Sequence, residues 1–138
     1  MPSGALGMGQ ANDTLLTVFG CSRVGTQVTC DTDINNQSQS VTQYKSSDSW
    51  KDAYLLDDKG DKHSRNIAFF LNDAGAQRFE SDIPYGETTR FIFVFNNVPA
   101  SVKKVSLKSS SGLDVEDITI TTPSGAGGGD AGTAAARP

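Results

Sequence analysis

The run Phe19-Gly-Cys-Ser-Arg-Val-Gly-Thr-Gln-Val-Thr-Cys30 sets two cysteines, Cys21 and Cys30, symmetrically about a Gly-Thr pair. Gly25 accepts φ > 0 without a Cβ clash, which suits the first corner of a two-residue type II′ turn. With Gly25 and Thr26 as the turn, Val24 faces Gln27, Arg23 faces Val28, Ser22 faces Thr29 and Cys21 faces Cys30. Pairs along an antiparallel ladder alternate between hydrogen-bonded and non-hydrogen-bonded, starting from a hydrogen-bonded pair at the turn. Counting outward makes Cys21 and Cys30 a non-hydrogen-bonded pair, where Cα atoms approach to about 4.5 Å, just inside the range a disulfide tolerates. The spacing therefore predicts a cross-strand disulfide, and with it an oxidising compartment. Closing so short a loop is worth about 2.5–3 kcal/mol in the chain-entropy treatment.

Working outward from this hairpin, the first strand covers residues 14–22 and the second residues 27–34. In that register Leu15, Phe19, Cys21, Val28, Cys30 and Ile34 share one face, the expected core. Further short β-branched and aromatic runs follow, separated by Gly, Asn, Asp, Pro or Ser clusters. They cover residues 40–44, an extended stretch around Tyr54, 62–71, an edge strand at 77–81, then 88–95, 102–107 and 113–120. The run 62–71 places Ile67, Phe69 and Leu71 together. The strongest strand, 88–95, carries Phe91, Phe93 and Phe95 on one face and Ile92 and Val94 on the other. A strand apolar on both faces is central and covered on both sides. The apolar pattern jumps between Val115 and Ile118, which predicts a β-bulge near Glu116 or Asp117. No stretch keeps a helical period for long. About eight strands joined by short turns make an all-β fold, most simply an antiparallel two-sheet sandwich, with a closed barrel as the structural alternative.

The chain has 138 residues, enough for one domain of modest core, and a net charge of −4, which argues against nucleic acid as a partner. Residues 13–121 are the expected folded domain. Residues 1–12, small and Gly-rich, read as a flexible amino-terminal segment, and residues 122–138 as a flexible Gly/Ala linker or tail. No apolar run approaches a membrane span. The start has no basic region followed by an apolar one, yet its small residues resemble those around a signal cleavage site. A truncated export precursor and a disordered amino terminus both fit.

The order of several pieces resembles small Ig-like, telokin-like β-sandwich domains of bacterial secreted and cell-envelope proteins. The pieces are the Cys21 to Cys30 hairpin, the turn in Leu55-Leu-Asp-Asp-Lys-Gly-Asp61, Ile83-Pro-Tyr-Gly86, and Phe91 to Phe95 followed by Asn97-Val-Pro99. The resemblance covers about Leu15 to Ile120. It implies an Ig-like β-sandwich, exported to the cell envelope or beyond, usually non-enzymatic, with roles in adhesion, assembly or interaction. It brings no shared catalytic residues.

Candidate chemistry is sparse. His63 is the sole histidine and reads as a surface residue beside a charged turn, outside any nucleophile motif. Cysteines joined in a disulfide supply no nucleophile, and two cysteines with one histidine fall short of a zinc site. Asp57, Asp58 and Asp61 invite a calcium reading, but the EF-hand pattern is absent and a solvated hairpin turn explains them. Glu80, Asp82 and Glu87 offer carboxylates for glycoside hydrolysis, with nothing to fix their separation. No cofactor is implied. Trp50, Tyr44, Tyr54 and Tyr85 are the binding candidates, since exposed aromatic rings stack on sugars or anchor protein partners. Against that stands a tryptophan that plugs the open end of the core. The expected function is a non-catalytic extracellular or cell-envelope interaction or structural module whose partner is a protein or a second copy. A virion or filament decoration protein, pairing through the 77–81 edge, and a carbohydrate-binding module are the alternatives.

Overall fold

In a computed structural model of the protein, residues 4–40, 42–110 and 112–122 are described. They hold twelve strands and no helix: β1 (Gly7–Ala11), β2 (Thr14–Val24), β3 (Gln27–Asn36), β4 (Thr42–Lys45), β5 (Tyr54–Asp57), β6 (Lys62–Ser64), β7 (Ile67–Leu71), β8 (Gln77–Arg78), β9 (Glu80–Ile83), β10 (Thr88–Phe95), β11 (Lys104–Lys108) and β12 (Asp114–Thr121). Ten of them make one curled, open sheet in the order β6-β5-β11-β12-β2-β3-β10-β7-β8, with β1 also paired to β2. A separate small sheet joins β4 to β9. The pairing is antiparallel except between β12 and β2, where Ile120 lies beside Cys21 and Thr121 beside Ser22.

The β2–β3 hairpin turns at Gly25 and Thr26, with Val24 opposite Gln27 and Cys21 opposite Cys30. Gly25 has φ 60° and Thr26 a negative φ, the combination of a type II′ turn. Farther from the turn the ladder departs from simple counting. Val18 pairs with Thr32 but Gly20 pairs with Asp31, so β2 holds one extra residue, Phe19. An extra residue reverses side-chain parity upstream of it. The core therefore receives Leu16 and Val18, both fully buried, in place of the expected Leu15 and Phe19, which are half-buried. Gly20 adopts φ 154°, a region essentially reserved for glycine. The same point divides the partners of β2: residues 14–18 pair with β1, and Cys21 and Ser22 pair with β12.

Three further expectations change. The amino-terminal segment expected to be flexible contains β1, which is paired to β2 from Ala11–Thr14 to Gly7–Val18. Its small residues serve close packing: a Cβ on Gly7 would lie 2.8 Å from Val115, and one on Gly9 would lie 2.9 Å from Leu113. The single strand expected at 62–71 is two strands on distant parts of the sheet, β6 on the edge beside β5 and β7 beside β10. Between them Arg65 N donates to Ala53 O and Asn66 N to Val94 O. Ala68 and Phe70 then face the main core, Phe69 and Leu71 face the other side, and Ile67 is exposed. The edge strand expected at 77–81 breaks at Phe79, so that Gln77–Arg78 pair with β7 and Glu80–Ile83 pair with β4. The tail expected at 122–138 lies, apart from Thr122, outside the described residues.

The central strand and the later bulge appear as expected. β10 spans Thr88–Phe95 between β3 and β7, buried on both faces. Phe70, Phe91, Phe93 and Phe95 form a continuous aromatic row in the main core, with successive centroids 4.7, 5.1 and 6.3 Å apart. Tilted and edge-on contacts of this kind add about 0.5–1.5 kcal/mol each beyond burial. The bulge expected near Glu116 is present: Val105 pairs with Ile118 and Leu107 with Val115, and Asp117 takes φ 59°.

The Gly20 geometry generates a test. A Cβ there meets no atom within 4 Å, so Gly20→Ala carries a purely conformational cost of about 1–3 kcal/mol. Urea unfolding of the two proteins measures it, and equal midpoints contradict the role given to this bulge.

Candidate functional site

The four aromatic candidates separate by environment. Trp50 is 6% exposed and belongs to the main core, as does Tyr44, whose hydroxyl is 3.0 Å from Thr14 Oγ1. Tyr54 is half-buried, with Lys62 Nζ 4.8 Å from its ring centre. Tyr85, in the turn after β9, is 57% exposed. Of the four, Tyr85 alone offers a largely free ring. The other exposed aromatic ring is Phe79, at the break between β8 and β9.

Trp50 reaches the core through an unusual loop. Its φ is 54°, uncommon for so bulky a residue. The loop is held by Arg65, whose guanidinium donates to the carbonyls of Ser46, Ser47 and Ser49 at 2.9, 3.1 and 3.2 Å. The same group lies over the Phe93 ring, 5.9 Å from its centre. Burial lowers the Arg65 pKa, opposed by the charges of Asp52 and Asp48. Asp52 in turn accepts hydrogen bonds from the Ser110 hydroxyl and amide. The hydroxyl contact is the main cause that holds its carboxyl below the usual range.

The acidic turn between β5 and β6 has one buried member. The Asp57 side chain is 2% exposed, whereas Asp58 and Asp61 face solvent. Asp57 Oδ1 accepts from the amides of Lys59 at 2.8 Å and Asp61 at 3.0 Å, and Oδ2 lies 2.9 Å from His63 Nε2. A carboxylate only accepts, so Nε2 carries the proton of this bond. These three bonds take up most of the roughly four acceptor sites of the Asp57 carboxylate. No group of three or more metal-ligating side chains occurs among the described residues. The Asp57–His63 pair has the form of the orienting half of a hydrolytic triad. No hydroxyl or thiol completes it among the described residues, and the two sulfurs of Cys21 and Cys30 are at bonding distance, with Cα atoms 4.0 Å apart.

Two further charged residues are buried. Arg23 is 7% exposed and donates to four carbonyls: Gly25 at 3.0 Å, Val98 and Pro99 at 3.2 Å, and Val102 at 2.6 Å. It ties the loop before β11 to the tip of the β2–β3 hairpin. The signal for it was present, because Arg23 has the parity of Cys21 and so points inward. Asp31, 6% exposed, accepts from Arg90 Nε at 3.3 Å and Nη2 at 3.2 Å. The carboxylates at Glu80, Asp82 and Glu87 are exposed, and Glu80 accepts from Gln43 at 3.2 Å across the β4–β9 pair.

Comparison with known proteins adds a likeness of fold. No family model matches the chain, and no curated protein matches it. The structure is similar to the crystal structure of the YjhA protein from Bacillus subtilis, with a TM-score of 0.51 and 14% sequence identity over 80% of this chain and 82% of that one. At that identity the likeness concerns the fold alone.

The Asp57 carboxyl is held below its ordinary 3.8, first by the bond to His63 and then by the Asp61 and Lys59 amides, against the opposing effect of burial. A lowered folded-state value means stabilisation that is complete above the unfolded value and is lost as pH falls through the folded one. Asp57→Ala is expected to cost about 1–3 kcal/mol at pH 7. Below about pH 4 the deficit narrows, because the parent then loses the contribution that the variant lacks. Chemical unfolding at pH 7 and pH 3 checks this, and a deficit independent of pH counts against the role given to the Asp57 carboxylate.

Proposed function

We propose that this chain is a non-catalytic interaction or structural module of Ig-like β-sandwich type, working in extracellular or cell-envelope space. The observation that carries the reading is the cross-strand pairing of Cys21 with Cys30, both buried in the main core. A bond of this kind persists where thiols are not kept reduced. It also consumes the two groups best suited to nucleophilic chemistry.

The remaining ionisable groups support the same reading. Asp57, Arg23, Arg65 and Asp31 are each committed to hydrogen bonds that hold turns or strands together. Binding energy at protein interfaces concentrates in a few aromatic and arginine anchors, and Tyr85 and Phe79 are the exposed aromatic rings that fit this role. Assembly through the 77–81 edge has less support. β8 offers only two residues there, and short edge strands are a recognised defence against unwanted pairing.

Two measurements test the proposal. Alkylation of the protein in intact source cells, before lysis, is expected to label neither cysteine, and free thiols at that stage remove the argument for its location. Tyr85→Ala and Phe79→Ala are expected to leave the melting temperature within a few degrees of the parent. At least one of them is expected to weaken retention on a cell-envelope fraction about tenfold or more, the loss of a single anchor residue. Full retention by both variants excludes these rings as the contact.

A further inference from the structure

Three loops meet at one end of the sheet and are bonded to one another. The β1–β2 turn meets the segment after β3 where Gln37 N donates to Asp13 O at 2.7 Å. That segment meets the turn after β9 where Gly86 N donates to Asn36 O at 2.7 Å and Asn36 N donates to Glu87 O at 3.1 Å. The fully buried Asn36 side chain completes the junction. Its Nδ2 donates to Ile83 O at 2.7 Å and Ser40 O at 2.9 Å, and its Oδ1 accepts from Ser38 N at 2.8 Å. Asn35 Nδ2 adds bonds to Gly86 O at 3.1 Å and Thr88 Oγ1 at 2.9 Å. Loops positioned in this way on a sheet are where proteins carry binding residues.

The ring these loops display is Tyr85. Glu87 N donates to Pro84 O at 3.0 Å and Gly86 takes φ 81°, which together make a type II turn with Tyr85 at its first corner. Its surroundings are polar. Among the described residues, no other large apolar side chain of these three loops is exposed. Phe79 lies beyond the other end of β9, and Val24 ends β2 at the opposite hairpin. A protein contact sets its anchor ring in an apolar patch, and these loops offer amides and hydroxyls instead. Gln37 spends its Oε1 on Gln10 at 3.3 Å, and Asn35 spends its Nδ2, so that Gln37 Nε2 and Asn35 Oδ1 keep their capacity among the described residues. The three loops carry no Lys or Arg, while Asp13 and Glu87 are exposed. That balance disfavours an anionic ligand.

We propose that Tyr85 and the loops around it bind a neutral, gluco-configured oligosaccharide. The inference rests on the interaction-module reading above and names the class of its partner. Equatorial hydroxyls leave such a sugar with a face of axial C–H groups, an apolar plane that packs on an aromatic ring, while the hydroxyls at its rim reach side-chain amides. Cellohexaose and chitohexaose, titrated separately into the isotope-labelled full chain, supply the test. At least one of them is expected to shift the backbone amide signals of Tyr85, Gly86 and Gln37 to saturation. An anionic oligogalacturonate of the same length is expected to bind about tenfold more weakly or worse. Tyr85→Ala is expected to weaken sugar binding about tenfold or more at an unchanged melting temperature. Tyr85→Phe keeps the stacking face and is expected to stay within about twofold of the parent. Absence of saturable shifts with both neutral sugars overturns the inference, as does full binding by Tyr85→Ala. Should the sugars fail while Tyr85→Ala still lowers retention on the envelope fraction, the partner at this ring is a protein and only the sugar assignment falls. Free thiols in intact cells, with sugar binding preserved, remove the location and leave this site standing.

Discussion

The extra residue at Phe19 governs how this sheet is put together. A β-strand has a side-chain period of two, so one additional residue exchanges the faces of everything on one side of it. Here the exchange sends Leu16 and Val18 into the core while Cys21 stays there, and all three are buried. It also lets one strand serve two neighbours, β1 along its first half and β12 beyond the bulge. Without that division the amino-terminal strand and the closing strand would compete for the same edge of β2. Gly20 provides the conformation that the irregularity needs.

Around this frame, buried charge serves as fastening. Arg23 gathers four carbonyls from two loops, Arg65 gathers three from the loop that carries Trp50, and Asp57 closes its hairpin with two amides and His63. Each answers the same physical demand. A turn buried against a core leaves backbone groups without water, and a charged side chain with several donors or acceptors satisfies them at once. Residue types that look catalytic in the sequence are thereby used in holding the fold. The aromatic residues divide in the same way, with Trp50 and Tyr44 filling the core and Tyr85 left on the surface.

Sequence patterns were most informative where neighbours in the chain are neighbours in space. The Gly25–Thr26 turn and the Cys21–Cys30 register follow from local turn geometry, and the bulge at Glu116–Asp117 from a break in alternation. The two-faced apolar pattern of 88–95 marked the central strand. Apart from the parity change at Phe19, the misreadings share one cause. A continuous extended run such as 62–71 or 77–81 carries no sign that its halves pair with different partners. The Gly-rich start carried no sign that it packs on Leu113 and Val115, more than a hundred residues later.

By itself, then, the sequence determined an all-β chain, one cross-linked hairpin with its register, and a central phenylalanine strand, since each depends on periodicity or on a two-residue turn. Only the tertiary structure decided which residues upstream of Phe19 face inward, where the runs at 62–71 and 77–81 divide, and that Trp50 is buried rather than displayed. Those outcomes depend on which distant strand supplies the next hydrogen bond or the next packing surface. Pairing between segments far apart in the chain leaves no trace in local alternation.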